Sequence, residues 1–460
     1  MKIFDTIAAI SSPLGKGGVA LLRISGSEAL NIADRVFTPK SKKPLSEYEH
    51  AKMVYGNIYE RTATGETKCI DDGMAVVFRA PHSFTGEDTA EINCHGGVLV
   101  TRNVLEACLR AGARQALAGE FTRRAYLNGK LELERAEALG NLLDAGNDEQ
   151  VKLARAGMNG LLTDSAEGVY TDLMDVLSNM EAGMDFPEED LTEMPFEEIL
   201  AIILKAEATV RGLVDTYRTG RAIAEGIPTV ICGRPNVGKS AFYNRLVGRE
   251  AAIVTDIAGT TRDILTDTVS VGRVTLRLSD TAGLRESDDP VERIGVERAR
   301  KALDEAELVL ILTDSREADP ESEALALSMR DRGRSVIYIH TKSDLWEAEG
   351  GAPDGIPHVV LSSVTGEGFD RLRATVEAAF IDGNLRMGEE AVVFSARQAA
   401  ALRETAACLR AARENLEAGL PYDICADDVR AAMGELGQLC GREMREEVLT
   451  EIFSRFCVGK

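Results

Sequence analysis

The stretch from Ile227 to Ser240, IPTVICGRPNVGKS, constrains the fold more than any other part of the chain. A short apolar run, Val230-Ile231-Cys232, ends at Gly233, and Gly238-Lys239-Ser240 closes a G-x-x-x-x-G-K-S loop. Such a loop needs a strand before it and a helix after it. Its glycines let backbone N–H groups close around a triphosphate, the lysine reaches the β/γ-phosphates, and the serine hydroxyl ligates Mg²⁺. The positive end of the following helix adds to the anion site. Asn236, Val237 and Ala241 complete the expected contacts of this loop.

Elements further on narrow the nucleotide to GTP. Thr255-Asp256-Ile257-Ala258-Gly259-Thr260-Thr261 lies in a polar stretch where Thr261 is expected as the second Mg²⁺ ligand from a switch segment. RVTLRLSDTAGL alternates like a strand and ends in Asp280-Thr281-Ala282-Gly283, which can hold the Mg²⁺ shell and sense the γ-phosphate. SVIYIHTKSD ends in Thr341-Lys342-Ser343-Asp344, whose carboxylate can accept both the N1 and N2 hydrogens of guanine. Adenine lacks that donor pair, so it leaves the carboxylate unpaired. Ser362-Ser363 follows a further strand, where a loop amide can read the guanine O6. Five ordered elements on one βαβ framework predict a Ras-like α/β domain that hydrolyses GTP.

Leu284 stands where small regulatory GTPases carry a water-orienting glutamine. Two groups are candidates to replace it. Glu292 lies in the same switch, although by composition it reads more readily as a surface acid. Asn236, with carbonyls near Thr255 and Ile257, could hold a monovalent cation beside the β/γ bridge, an effect on the order of 10³ in rate.

The 460 residues predict about three domains. Residues 1–125 read as an α+β domain, with strands in IAAIS, GGVALLRIS, KMVYGNIY, DGMAVVFRA and TAEINCHGG. Residues 126–221 read as helical, 222–383 as the nucleotide domain, and 384–460 as helical again, so that one all-α domain is split by an insertion. Residues 131–225 hold 21 acids against 7 bases, and the whole chain carries −22, which argues against non-specific nucleic-acid binding. An RNA partner then needs a local basic patch. Residues 98–130 hold six arginines and lysines against two glutamates; composition alone reads this as a solvated helix face. His82, Cys94 and His95 lack a matching second pair of metal ligands and read as ordinary strand-end residues. The eight cysteines form no C-x-x-C pair and read as reduced thiols. An early acid at Asp5 and the absence of a long apolar run predict a cytoplasmic protein without a membrane span.

The chain resembles the MnmE (TrmE) family of tRNA modification GTPases over nearly its whole length. The matching stretches are TIAAISSPLGKGGVALLRISG, FTGEDTAEINCHGG, GEFTRRAYLNGKLELERAEA, GRPNVGKS, TDIAGTTRD, DTAGLRESDDPVERIGVERA and the terminal EIFSRFCVGK. The resemblance implies a tetrahydrofolate-binding N-terminal domain that also dimerises and takes a one-carbon unit from 5-formyl-tetrahydrofolate or a relative. By motif position Arg23, Glu91, Lys130 and Lys460 are the folate contacts, and Cys457 is essential to the modification chemistry. Potassium is implied at Asn236, Thr255, Ile257 and Thr260, and Glu292 matches the catalytic glutamate. The implied partners are a second copy, the flavoprotein MnmG (GidA) and tRNA, whose wobble uridine is modified at C5. The basic stretch 98–130 is then partly a folate and tRNA surface. Thr341 stands where the family usually has asparagine, and Ser363 where it has alanine. A ribosome-assembly GTPase of the Era or Der type is the rival, but this chain carries an acidic helical segment and the terminal cysteine motif instead of a basic RNA module.

Overall fold

The computed structural model describes residues 5–61, 67–185, 194–250, 266–279, 301–314, 319–345, 351–383, 385–441, 446–454, 456 and 458–459. The chain forms two compact units, residues 1–140 with 440–460, and residues 141–439.

The first unit is built on β1 (Ile7–Ile10), β2 (Val19–Ser25), β3 (Phe37–Pro39), β4 (Val54–Arg61), β5 (Thr67–Phe78), β6 (Thr89–His95) and β7 (Arg114–Gln115). They form one sheet in the order β3-β4-β5-β6-β2-β1-β7, antiparallel except for the β1/β7 pair. Alternation sets its faces. Ala20, Leu22 and Ile24 of β2 are buried against α1 (Ala29–Val36) and α2 (Val98–Arg110), whose inward residues include Ile32, Val36, Val104 and Cys108. β3 and β7 were not anticipated, because strands of three and two residues carry no readable period. After α3 (Glu120–Leu127), the start of α4 (Leu133–Asp144) packs Leu133 and Ala136 on Leu449 and Phe453 of the C-terminal helix Glu446–Ser454.

The second unit begins with α5 (Asp148–Met158), α6 (Leu161–Asp185) and α7 (Phe196–Ala224). Within the segment read as helical, a new helix starts at α5, where the Asn147 side chain accepts from the Gln150 amide and caps it. A six-stranded sheet follows, formed by β8 (Ile227–Cys232), β9 (Thr266–Val271), β10 (Val274–Ser279), β11 (Leu308–Thr313), β12 (Ser335–His340) and β13 (His358–Val360). Its order is β13-β12-β11-β8-β10-β9, parallel except for β9/β10. The six buried residues of central β11, LVLILT, are what a parallel strand covered on both faces requires. The helices α8 (Lys239–Glu250), α9 (Pro320–Asp331) and α10 (Phe369–Phe380) belong to this sheet.

The helical pattern resumes in α11 (Ala396–Glu417), which opens on a Ser395/Gln398 capping box, and α12 (Tyr422–Leu439). The chain leaving the sheet segment returns to α7. Thr219 Oγ1 donates to the Phe380 carbonyl at 3.1 Å, and the Val393 amide donates to Thr216 Oγ1 at 2.9 Å. A Cβ on Gly220 would fall 2.1 Å from the Val393 carbonyl oxygen, so the returning chain lies directly on the helix backbone. The expected α+β, all-α and Ras-like α/β parts are all present. No disulfide joins cysteines among the described residues, and no described helix is long and apolar enough to cross a membrane.

Candidate functional site

The phosphate loop leaves the C-terminal end of β8, as a ligand site on a parallel sheet should. Gly233 has φ +144°, and a Cβ there would sit 2.2 Å from the Leu312 carbonyl oxygen, so no other residue fits this turn. Asn236 and Gly238 also take positive φ, +64° and +97°. Lys239 opens α8 and bends back over the loop, its ammonium donating to the carbonyls of Gly233 at 2.7 Å and Arg234 at 2.6 Å. Burial lowers its pKa, an effect that the nearby Cys232 only partly offsets. Ser240 is exposed in the first helical turn, with its hydroxyl available to a cation; Val237 is buried.

The base-reading residues converge on the same loop. Thr341 follows β12 and is buried, with its hydroxyl 2.5 Å from the Val237 carbonyl and 3.1 Å from that of Thr313. Lys342, at φ +62°, donates to the Asn236 carbonyl at 2.7 Å and to Asp314 at 3.4 Å. Ser362 is fully buried and donates to Asp344 Oδ1 at 2.5 Å, while accepting from the amides of Val364 and Thr365, both at 3.2 Å. Asp344 is thereby aimed but left exposed, and Ser363 is half-buried beside it. Two bracing contacts escaped sequence reasoning: Thr341 tying the base-reading segment to the phosphate loop, and Asp314 pairing with Lys342. The aspartate closing LVLILTD was the available signal for the second.

In the first unit Arg23 and Glu91 face each other on β2 and β6 and pair at 2.7 Å, both largely shielded. The guanidinium lies over the rings of Phe84, at 5.4 Å, and Phe121, at 5.8 Å. Lys130 is exposed and runs its stem along Gly86, two residues from Phe84. Arg23 and Lys130 therefore touch one loop, and a cation–carboxylate pair flanked by aromatic rings suits a flat polar ring system carrying an acidic tail.

The end of the chain joins this unit. Val458 bridges Ala118, and the Gly459 carbonyl accepts from Ser11 Oγ at 2.9 Å. Gly459 has φ +102°, and a Cβ there would meet the Ile10 carbonyl oxygen at 2.1 Å. Cys457 and Lys460 lie outside the described residues, as do Thr255, Asp256, Ile257, Ala258, Gly259, Thr260, Thr261, Asp280, Thr281, Ala282, Gly283 and Glu292.

The basic stretch 98–130 is a solvated helix face only in part: Arg102, Glu106 and Arg110 are exposed along α2, but Arg114 and Arg124 after it are drawn into ion pairs. Arg124 is 1% exposed and contacts Asp5 at 2.7 Å, Glu120 at 3.0 Å and Glu87 at 3.2 Å. Arg114 pairs with Asp5 and Glu120, and Arg110 with Glu60 and Glu106. Burial pushes the Glu120 carboxyl upward, but Arg114, the Leu117 amide and Arg124 outweigh it and hold the group below its ordinary pKa. Cys94 and His95 point to opposite faces of β6: the thiol is buried, and the exposed imidazole pairs with Asp71 at 2.8 Å, which raises its pKa. His82 packs edge-on to His50.

Comparisons with known proteins agree with this arrangement. Residues 6–130 match the family model described as the N-terminus of GTP-binding protein TrmE, and residues 133–457 the model of the MnmE helical domain. The tRNA modification GTPase MnmE of Symbiobacterium thermophilum is 44% identical over 465 residues, covering 99% of each chain. That of Listeria welshimeri is 40% identical over 463 residues, covering 99% of this chain and 100% of its own. Among solved structures, the G domain of the Thermotoga maritima FeoB iron transporter is 29% identical over 33% of this chain and 97% of its own, with a TM-score of 0.24. On the full-length identity and the two family models, the chain belongs to the MnmE (TrmE) family of tRNA modification GTPases.

Proposed function

We propose that this GTPase acts with an MnmG-type flavoprotein to install a group on C5 of the wobble uridine of a set of tRNAs, using a folate one-carbon unit. The reading is carried by the docking of the chain end, Val458 on Ala118 and Gly459 on Ser11, in the unit that also holds the Arg23–Glu91 pair. That contact ties Val458 and Gly459 to the first unit. Arg23, Glu91, Lys130 and Lys460 are the proposed folate contacts; the first pair would hydrogen-bond the ring edge, and the lysines would meet the acidic tail. Cys457 is proposed as essential to the modification step. The domain boundaries we propose are 1–125, 126–221, 222–383 and 384–460.

In the nucleotide domain Lys239 is proposed to exchange its two carbonyl partners for the β/γ-phosphates when GTP enters. Asp344, aimed by Ser362, reads guanine. Glu292 is proposed to orient the attacking water. Ser240 and Thr261 would hold Mg²⁺, and Asn236, Thr255, Ile257 and Thr260 would hold K⁺; such ions would supply positive charge to the phosphate oxygens. The protein is proposed to work as a homodimer in the cytoplasm.

The test is mass-spectrometric nucleoside analysis of tRNA from cells lacking the protein and complemented with wild type or Cys457→Ser. The C5-modified wobble uridine should return with wild type alone. If that nucleoside persists in the deletion, the folate, flavoprotein and tRNA reading falls, and the GTPase remains.

A further inference from the structure

An RNA partner must find positive charge on a chain whose net charge is −22, and in the stretch 98–130 three of the six cations, Arg110, Arg114 and Arg124, are engaged by carboxylates. A different segment offers cations without such partners. Residues 38–46, TPKSKKPLS, carry three lysines and no acid, and form the turn that leaves β3 at the edge of the first sheet. The Lys42 amide closes the turn on the Pro39 carbonyl at 2.9 Å, and Lys42 itself takes φ +64°. Lys40, Lys42 and Lys43 are exposed, and none of them has a carboxylate partner among the described residues.

The contacts these lysines do make are to aromatic rings. The Lys40 ammonium lies 5.4 Å from the centre of the Tyr55 ring and donates to Asn57 at 2.8 Å; that of Lys43 lies 5.2 Å from the Tyr48 ring. Tyr55 is 47% exposed, held at its hydroxyl by Asp72. Arg79 joins the same surface by donating to the Ser46 carbonyl, again without a carboxylate partner. Of the neighbouring acids, Asp34 accepts from Ser46 and Glu49 pairs with Lys52 at 3.5 Å, while Glu47 and Glu49 are both exposed.

Cations held over rings instead of carboxylates keep their charge available to an incoming anion, and an exposed tyrosine offers a face to an unstacked base. We infer that Lys40, Lys42, Lys43 and Arg79, with Tyr48 and Tyr55, form the surface on which this protein holds the phosphate backbone of RNA. This rests on the tRNA reading above and moves the contact from 98–130 to the β3–β4 connection. RNA is favoured over an acidic protein because two of the cations, Lys40 and Lys43, lie beside the flat rings of Tyr55 and Tyr48, and one of those rings is exposed.

The experiment measures binding of an unmodified tRNA transcript to the full-length protein by fluorescence anisotropy across a KCl series. The variant combines Lys40→Gln, Lys42→Asn and Lys43→Gln, asparagine being suited to the left-handed position. Loss of three phosphate contacts should lower the slope of log affinity against log salt by about 3. GTP hydrolysis and the melting temperature should not move. An unchanged slope overturns the assignment, as does a greater loss with Arg102→Gln in the 98–130 stretch. Polyglutamate competing as well as tRNA also overturns it, by assigning the surface to acidic protein. Wild-type protein that fails to hold tRNA at low salt overturns the surface too, while the modification reading is judged separately by the nucleoside analysis.

Discussion

The hydroxyl of Thr341 lies 2.5 Å from the carbonyl oxygen of Val237, and this contact fastens the base-reading segment to the phosphate loop. The bond is buried, and the Lys342 ammonium repeats it one residue along by donating to Asn236. The family resemblance leads to asparagine as the expected residue at this position. The shorter threonine still reaches, because the loop carbonyl comes close to the end of β12.

Thr341→Val keeps the shape and removes the donor. A buried carbonyl that loses its partner costs about 1–3 kcal/mol, so GTP affinity should fall on the order of tenfold or more. Thr341→Asn can donate to the same carbonyl and should bind GTP much as wild type does. Fluorescent-nucleotide titration checks both. Equal affinity in Thr341→Val would mean that the contact does not organise the site.

Asp344 should be the guanine reader because one of its oxygens is fixed by Ser362 and the rest of the carboxylate is exposed. Asp344→Asn replaces an acceptor by a donor and should shift preference from GTP towards xanthosine triphosphate. Ser362→Ala should weaken GTP without that switch, since the carboxylate remains but is no longer aimed. Competition binding with the two nucleotides separates the cases; an unaltered GTP preference in Asp344→Asn removes it from base reading.

Hydrolysis carries a third prediction. Replacing K⁺ by Na⁺ should slow turnover strongly, since the expected cation does the work of an arginine finger, on the order of 10³ in rate. Glu292→Ala should retain GTP binding and lose hydrolysis. Equal rates in the two salts remove the cation, and wild-type turnover in the variant returns Glu292 to the status of a surface acid.

How much of this was legible in the sequence follows from the range of the forces involved. Gly233 and Gly238 are dictated by backbone geometry within one loop, so the phosphate site could be read from spacing alone. The long helices announce themselves by period, and Ser395/Gln398 marks the start of α11. Arg124 could not be read. Its partner Asp5 is 119 positions away, and composition cannot tell a buried arginine from a solvated one. The docking of Val458 and Gly459 carries no readable period, and only the family resemblance, which groups Lys460 with Arg23 and Glu91, pointed to it. The lysines at 40–43 match no motif, and only the nearby rings and the lack of carboxylate partners among the described residues set them apart.

The Arg124 network makes the last prediction. Arg124 is buried with Asp5, Glu87 and Glu120 around it, and Arg114 shares two of these acids. Arg124→Met keeps the bulk of the side chain but leaves the buried Glu120 with Arg114 alone and Glu87 without its cation, at a cost of up to about 3 kcal/mol. Thermal melting at neutral pH should show the first unit destabilised. The pH dependence then tests the cause. Burial raises the pKa values of Asp5 and Glu120, yet their arginine partners prevail and both stay below the ordinary carboxylate range. As pH falls, the unfolded chain therefore takes up protons first. The stability these groups contribute is whole above their ordinary values, near pH 4, and drains away as pH falls through the lower folded values. Wild type should lose stability steeply on acidification below about pH 4.5, and Arg124→Met should lose less, because its carboxyls no longer titrate so low. Parallel acid-loss curves for the two proteins would mean that the network contributes packing alone.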